Sequence, residues 1–270
     1  MTDAHSDALV FFGATGDLAH KEIFPALQGM IRHGHLDMPI KVLVLLAMDA
    51  PVRHDPETMR DEKVRLFKAI RALTPSDVVR GQYRGYRQTE GVAPDSQVET
   101  FAALRLHIGT WRWGGVPFFL RAGKRLAVTA TEVTVELKRP PQTVFDDIMM
   151  GSSNCVRFRV SPDVFISIGA RVKRPGEDMA GEDIDLIAHH HSGDEMRPYE
   201  RLLGDAMRGD ASLFARQDSV EAAWRVVDPV LSGTTPVIEY EPYTWGPAEA
   251  SRIVAGYGVW QNPAEERGSK

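Results

Sequence analysis

The stretch from Gly115 to Leu137, GVPFFLRAGKRLAVTATEVTVEL, constrains the fold most, because it joins two strand patterns through a basic, glycine-containing bend. In the second pattern Thr131, Val133, Val135 and Leu137 alternate with Glu132, Thr134, Glu136 and Lys138, the period of two of a strand with one apolar and one wet face. In the first, Val116, Phe118, Phe119 and Leu120 form an apolar run that suits a central strand, with Pro117 tolerable only at its start. The bend presents Arg121, Lys124 and Arg125 around Gly123. Three cations on a flexible backbone suit an anion. They equally suit solvated charges at a sheet edge, where lysine discourages edge pairing.

A chain of 270 residues can bury a large core in one or two domains. The formal net charge of −5 gives no basic surplus that would argue for nucleic acid. A single cysteine, Cys155, excludes an internal disulfide framework and fits a reducing, cytoplasmic compartment. The first residues, MTDAHSDAL, carry acids where a secretion signal needs positive charge. Apolar runs fall far short of the roughly 20 residues that span a bilayer, so no membrane partner is expected.

Residues 8–12, ALVFF, run into Gly13-Ala14-Thr15-Gly16-Asp17-Leu18 and then a helical pattern of Ile23, Leu27, Met30 and Ile31. Strand, glycine turn and helix in that order suit a dinucleotide pyrophosphate, because bare backbone amides and the helix N-terminus both favour an anion. A G-x-x-G turn is also common as a plain tight turn. The run Lys41–Met48 ending in Asp49 has the spacing of a second Rossmann strand, yet its leucines, alanine and methionine are helix formers, and periodicity leaves the two open. An amphipathic helix is expected from about Glu57 to Leu73. Beyond Ser96 the pattern predicts strands over Val98–Ile108, Val116–Leu120, Thr131–Leu137, Val156–Val160 and Val164–Val172. Short strands without helices between them imply an antiparallel sheet. Helices are expected over Tyr199–Met207 and Val220–Val227, the latter opened by Asp218 with Glu221 at capping-box spacing, and over Ala248–Ala255 after Pro247. Strands followed by helices indicate an α+β fold. The triplet His189-His190-His191 reads as an exposed loop rather than a metal site, since neighbours on an extended chain point apart and no ligand cluster stands at metal spacing.

Six ordered motifs give the chain a resemblance to the glucose-6-phosphate dehydrogenase family. They are Gly13–Ala19, Arg60-Asp61-Glu62-Lys63-Val64, Gly115–Lys124, Tyr199-Glu200-Arg201-Leu202-Leu203, Ala223-Trp224-Arg225 and Gly246-Pro247-Ala248-Glu249-Ala250. The resemblance implies oxidation of glucose 6-phosphate to 6-phosphogluconolactone with NADP in the pentose phosphate pathway. It implies that Gly13, Ala14, Thr15, Gly16, Asp17 and Leu18 lie at the coenzyme and that Lys124 contacts the sugar phosphate. It also implies a large, mostly antiparallel sheet, with helices on one face, through which a homodimer forms.

The same resemblance locates departures. After a βα unit, residues 1–40, the rest of the parallel coenzyme sheet and the family's R-I-D-H-Y-L-G-K-E segment do not appear, so 1–40 reads as a truncated Rossmann remnant. Residues 41–75 then read as a helical connector, which makes Val42–Met48 helical, and 76–270 as the family's C-terminal α+β domain. Met38 stands where the family's general-base histidine would stand, and no catalytic residue is assigned. Glu22 and Thr129 replace cations near the sugar phosphate, which weakens anion binding. Two readings result: a glucose-6-phosphate dehydrogenase-like protein with NADP bound weakly, or a catalytically inactive, dimerising module of that family.

Overall fold

The computed structural model describes residues 43–53, 55–138, 154–176, 179–189, 205, 207–210, 214–231 and 235–264. The remnant βα unit and the Gly13–Leu18 turn lie outside them, as does most of the expected 199–207 helix.

The chain forms two compact units, each with one sheet. The α+β class is as expected, but the strands are shared between two four-stranded sheets. In the first unit they are β1 (Val78–Tyr83), β2 (Phe101–His107), β3 (Pro117–Gly123) and β8 (Val237–Tyr240), in the order β3-β2-β1-β8. The β3-β2-β1 ladder is antiparallel, whereas β8 runs parallel to β1 with Tyr83 opposite Tyr240. In the second unit β4 (Thr131–Glu136), β5 (Cys155–Ser161), β6 (Phe165–Lys173) and β7 (Gly181–His189) are antiparallel throughout. The two strands flanking the basic bend therefore do not pair as a hairpin. β3 ends one sheet's edge and β4 begins the other.

All six residues of β1 are buried, because the first sheet is covered on both faces. On one side Val78, Leu104, Leu106 and Leu120 meet Leu66 of α1 (Pro56–Ala69), the Ile70 that follows it, and Val226 and Val230 of α2 (Gln217–Leu231). On the other, Val79, Tyr83, Phe101 and Tyr240 pack with Ala250 and Ile253 of a 3₁₀ segment, Ala248–Ile253. The segment expected as an α-helix after Pro247 is thus a tighter 3₁₀ turn with Pro247 as its cap. Residues 43–47 are helical and contribute Leu43, Val44 and Ala47 to the first cluster, which decides the strand-or-helix ambiguity in favour of helix.

Each helix has a local reason to start. Asp55 caps α1 by accepting from the Thr58 amide at 2.9 Å, with Pro56 in the first turn. In α2 the buried stripe is Ser219, Ala222, Val226 and Val230. Its start differs from the expected box. Asp218 lies inside the first turn and takes the Arg216 guanidinium at 2.8 Å, while Glu221 accepts from Gln217 at 2.9 Å. The same guanidinium reaches Glu57 at 3.0 Å and Asp61 at 2.6 Å, tying α1 to the start of α2.

The second sheet separates its faces cleanly. Register pairs Val133 with Phe158, Val135 with Val156, Val156 with Ile168, Phe158 with Ile166 and Ile168 with Leu186, so one face is apolar from edge to edge. The opposite face carries Arg159–Glu132 at 2.8 Å, Arg157–Asp185 at 3.0 Å and Arg171–Asp183 at 3.0 Å. His189 is the last residue of β7, with its ring 5.7 Å from Phe165, rather than part of a loop; His190 and His191 lie outside the described residues.

The Arg216 cluster has a pH signature. Hydrogen bonding from Arg216 holds the Asp218 carboxyl below its ordinary 3.8. Its contribution is therefore complete above that pH and is lost as pH falls through the lowered folded value. Arg216→Ala is expected to lower the thermal midpoint at neutral pH and to flatten the acid limb of the stability curve. Melts followed by circular dichroism from neutral to strongly acid pH check this; an unchanged acid limb would remove Arg216 as the link.

Candidate functional site

The basic bend sits at the end of β3, where the ladder with β2 closes at the pair Phe101–Gly123. Two glycines permit that closure. A Cβ on Gly123 would come within 2.9 Å of the Phe101 ring, and one on Gly246, where φ is +92°, within 2.2 Å of the same ring.

Two of the three cations of the bend rest on separate aromatic groups. Arg121, still within β3, lies between two indoles, its guanidinium carbon 4.7 Å from the Trp245 ring centre and 4.8 Å from that of Trp260. Burial pushes its pKa down to about 10. Phe119 extends the aromatic group toward Tyr257 and Trp260, with ring centres 5.4 and 6.3 Å away. Arg125 is exposed, at a left-handed φ of 48°, and its guanidinium carbon is 4.8 Å from the Tyr83 ring centre. Lys124 is half-buried, and desolvation lowers the pKa of its amine from the ordinary 10.5. Thr129, where the resemblance would place a cation, is exposed.

The main chain of Lys124 is held on both sides. Its N–H donates to the Thr100 carbonyl at 2.7 Å, and its carbonyl accepts from the Tyr240 hydroxyl at 2.6 Å. Tyr240 is 4% exposed at the end of β8. Its phenol also stands 3.3 Å from the Thr100 hydroxyl, which accepts from the Tyr83 amide at 2.9 Å. Burial pushes the Tyr240 pKa up to about 12. The next carbonyl, of Arg125, accepts from the Tyr243 amide at 2.6 Å.

Of the residues singled out from sequence, Lys124 is therefore placed on a fixed bend, and Gly13–Leu18 lie outside the described residues. No coenzyme geometry follows from the structure. Sequence reading missed Tyr240 and Thr100, which stand 116 and 24 positions from Lys124 and carry no local motif. Among the described residues no group of three or more His, Cys, Asp or Glu is arranged to hold a metal ion. Among them also, no helix is long and apolar enough to cross a membrane.

Residues 21–261 match the family model described as glucose-6-phosphate dehydrogenase, C-terminal domain. Glucose-6-phosphate 1-dehydrogenase 1 of Mycobacterium bovis is 39% identical over 233 residues, covering 85% of this chain and 49% of that protein. The crystal structure of glucose-6-phosphate 1-dehydrogenase from Mycobacterium avium superposes with a TM-score of 0.77 at 39% identity, covering 84% of this chain and 49% of its own. A glucose-6-phosphate dehydrogenase solved in complex with its substrate glucose-6-phosphate gives 0.74 at 30% identity, with coverages of 89% and 52%. The chain spans about half the length of the curated relatives it matches.

Tyr240 makes the site accessible to a spectroscopic test. Its folded pKa lies above the ordinary 10, so its contribution is complete below pH 10 and is lost as pH rises through about 12. Ultraviolet titration of tyrosinate is expected to show one late tyrosine near pH 12 that Tyr240→Phe removes. A difference spectrum between the two proteins that titrates at the ordinary value would contradict the buried phenol.

Proposed function

We propose, starting from the fact that the chain belongs to the glucose-6-phosphate dehydrogenase family, that it supplies the sugar-phosphate-side scaffold and the dimer-forming sheet of such an enzyme. On this reading glucose 6-phosphate is its substrate, 6-phosphogluconolactone the product and NADP the oxidant, in the cytoplasm. The observation that carries the reading is the bend that holds Lys124 by both main-chain groups, at 2.7 and 2.6 Å. The ammonium there serves as a charge-assisted partner for the sugar phosphate.

The domain assignment is a coenzyme remnant over 1–40, a helical connector over 41–75 and the C-terminal domain over 76–270. NADP would supply the hydride acceptor for C1 of the sugar. Gly13, Ala14, Thr15, Gly16, Asp17 and Leu18 would hold its pyrophosphate. One strand and one helix do not complete a parallel sheet, so NADP affinity is expected to be weak. Lys124 without its family companions leaves glucose 6-phosphate binding at millimolar or weaker, because one solvent-screened pair contributes only about 0–1 kcal/mol.

By the resemblance Met38 stands at the general-base position, a role commonly worth about 10²–10⁴-fold when a histidine fills it. Purified protein mixed with glucose 6-phosphate and NADP, followed by NADPH absorbance, is therefore expected to turn over at least about 100-fold more slowly than an intact relative. Turnover equal to that of the relative would overturn the account of the departures and leave the family reading whole.

A second reading, a dimerising module without activity of its own, is favoured by the apolar face of the second sheet. Ile166, Ile168 and Leu186 are 49%, 48% and 62% exposed on that face. Contiguous apolar surface of this kind marks an interaction site. We assign it to a second copy of the chain. Sedimentation velocity is expected to show a dimer that Leu186→Glu converts to monomer. A monomeric wild type, or a dimer indifferent to the substitution, would exclude this face.

A further inference from the structure

We propose that Tyr240 is the positioning residue of the Lys124 bend: its phenol fixes the main chain from which Lys124 presents its ammonium to a sugar phosphate. The inference rests on the reading of Lys124 given above and adds a residue to it.

Lys124 is the first residue beyond the β2–β3 ladder, which ends at Gly123. Its N–H still finds Thr100, but its carbonyl has no strand to pair with, and a buried carbonyl left unpaired is costly. Arg125 then adopts a φ of 48°, a region that residues other than glycine enter only when their surroundings hold them there. The end of β8 and the segment that follows it supply that hold. Tyr240 donates to the Lys124 carbonyl, the Tyr243 amide donates to the Arg125 carbonyl, and the Ala127 amide returns to the Thr244 carbonyl at 3.1 Å.

The two hydroxyls are in contact. Thr100 Oγ1 accepts from the Tyr83 amide and stands 3.3 Å from the Tyr240 oxygen, a contact in which either hydroxyl can donate. The single phenol proton goes to the nearer of two carbonyls, that of Lys124 at 2.6 Å rather than that of Thr100 at 3.2 Å. The ring itself is held separately by packing on Phe101, with centres 5.5 Å apart. Hydroxyl and ring therefore have separable roles, and Tyr240→Phe removes only the first.

The test uses the full chain in four forms, wild type, Tyr240→Phe, Lys124→Ala and the double variant. Amide hydrogen exchange is read at Lys124 and Tyr243, and glucose 6-phosphate is titrated at millimolar concentration by chemical-shift perturbation. Tyr240→Phe is expected to keep the wild-type circular dichroism spectrum and to speed exchange of both amides about tenfold, as loss of one hydrogen bond implies. It is expected to weaken glucose 6-phosphate binding, with no further loss when combined with Lys124→Ala. A purely structural hydroxyl would shift the melting temperature without this local pattern. Wild-type exchange at both amides in Tyr240→Phe, or unaltered binding where Lys124→Ala abolishes it, overturns the inference. Binding that Lys124→Ala leaves unchanged overturns the sugar-phosphate reading instead, and the exchange rates then decide Tyr240 alone. Should Tyr240→Phe fail to fold, the hydroxyl is required by the fold as a whole rather than by the bend, and the inference is withdrawn.

Discussion

Burial of β1 on both faces is the constraint on which the first unit depends. A six-residue strand with no exposed position has to find partners for most of the polar groups it carries, and β1 carries a glutamine and an arginine, of which only the Arg80 Nε is left without a hydrogen-bond partner. Arg80 donates to the carbonyls of Gln97 and Thr235, both at 3.1 Å, and to the Glu99 carboxylate at 2.8 Å. Gln82 donates to the carbonyls of Ser96 and Val98 at 3.1 and 2.9 Å. These bonds draw the 96–99 segment against the sheet and so fix where β2 begins. Thr100, the next residue, is the one that receives the Lys124 amide and stands beside Tyr240. The candidate site is thus a consequence of how the central strand resolves its own buried polar groups.

The second sheet meets the opposite problem with the same chemistry. Its charged face is internally paired, and the Arg159–Glu132 pair, with both side chains 6% exposed, is further covered by the Phe165 ring 4.8 Å from the guanidinium carbon. Its apolar face offers Val135, Ile166, Ile168, Ile184 and Leu186 to whatever lies beyond it. One unit spends its polar groups on shaping a bend; the other leaves its apolar groups for a surface.

What could be read from sequence follows from the range of the forces involved. β4 and β6 alternate in polarity and were legible, as was α1 from its Asp55-Pro56 start. β1, VVRGQY, was missed because Arg80, Gly81 and Gln82 interrupt what would otherwise look like a buried run, and the groups that Arg80 and Gln82 donate to lie 14 or more residues away. β7, GEDIDLIAH, was left unassigned, although its Asp183 and Asp185 are cross-strand partners of arginines. β8 is four residues long and pairs in parallel with a strand more than 150 positions earlier. At the site, Lys124 was found through its motif. Arg121 was taken for a presented cation, because nothing near it in sequence announces Trp245 and Trp260.

The central claim is that a sheet folded from residues beyond 76 presents Lys124 on a preformed bend to a sugar phosphate. A crystal structure of the protein with glucose 6-phosphate at saturating concentration tests it most directly. The account predicts the ligand's phosphate or sugar hydroxyls within hydrogen-bond distance of Lys124 Nζ, with the Lys124 carbonyl still accepting from Tyr240. Ligand bound elsewhere with Lys124 untouched, or a bend that must rearrange and release Tyr240 to make the contact, would contradict it.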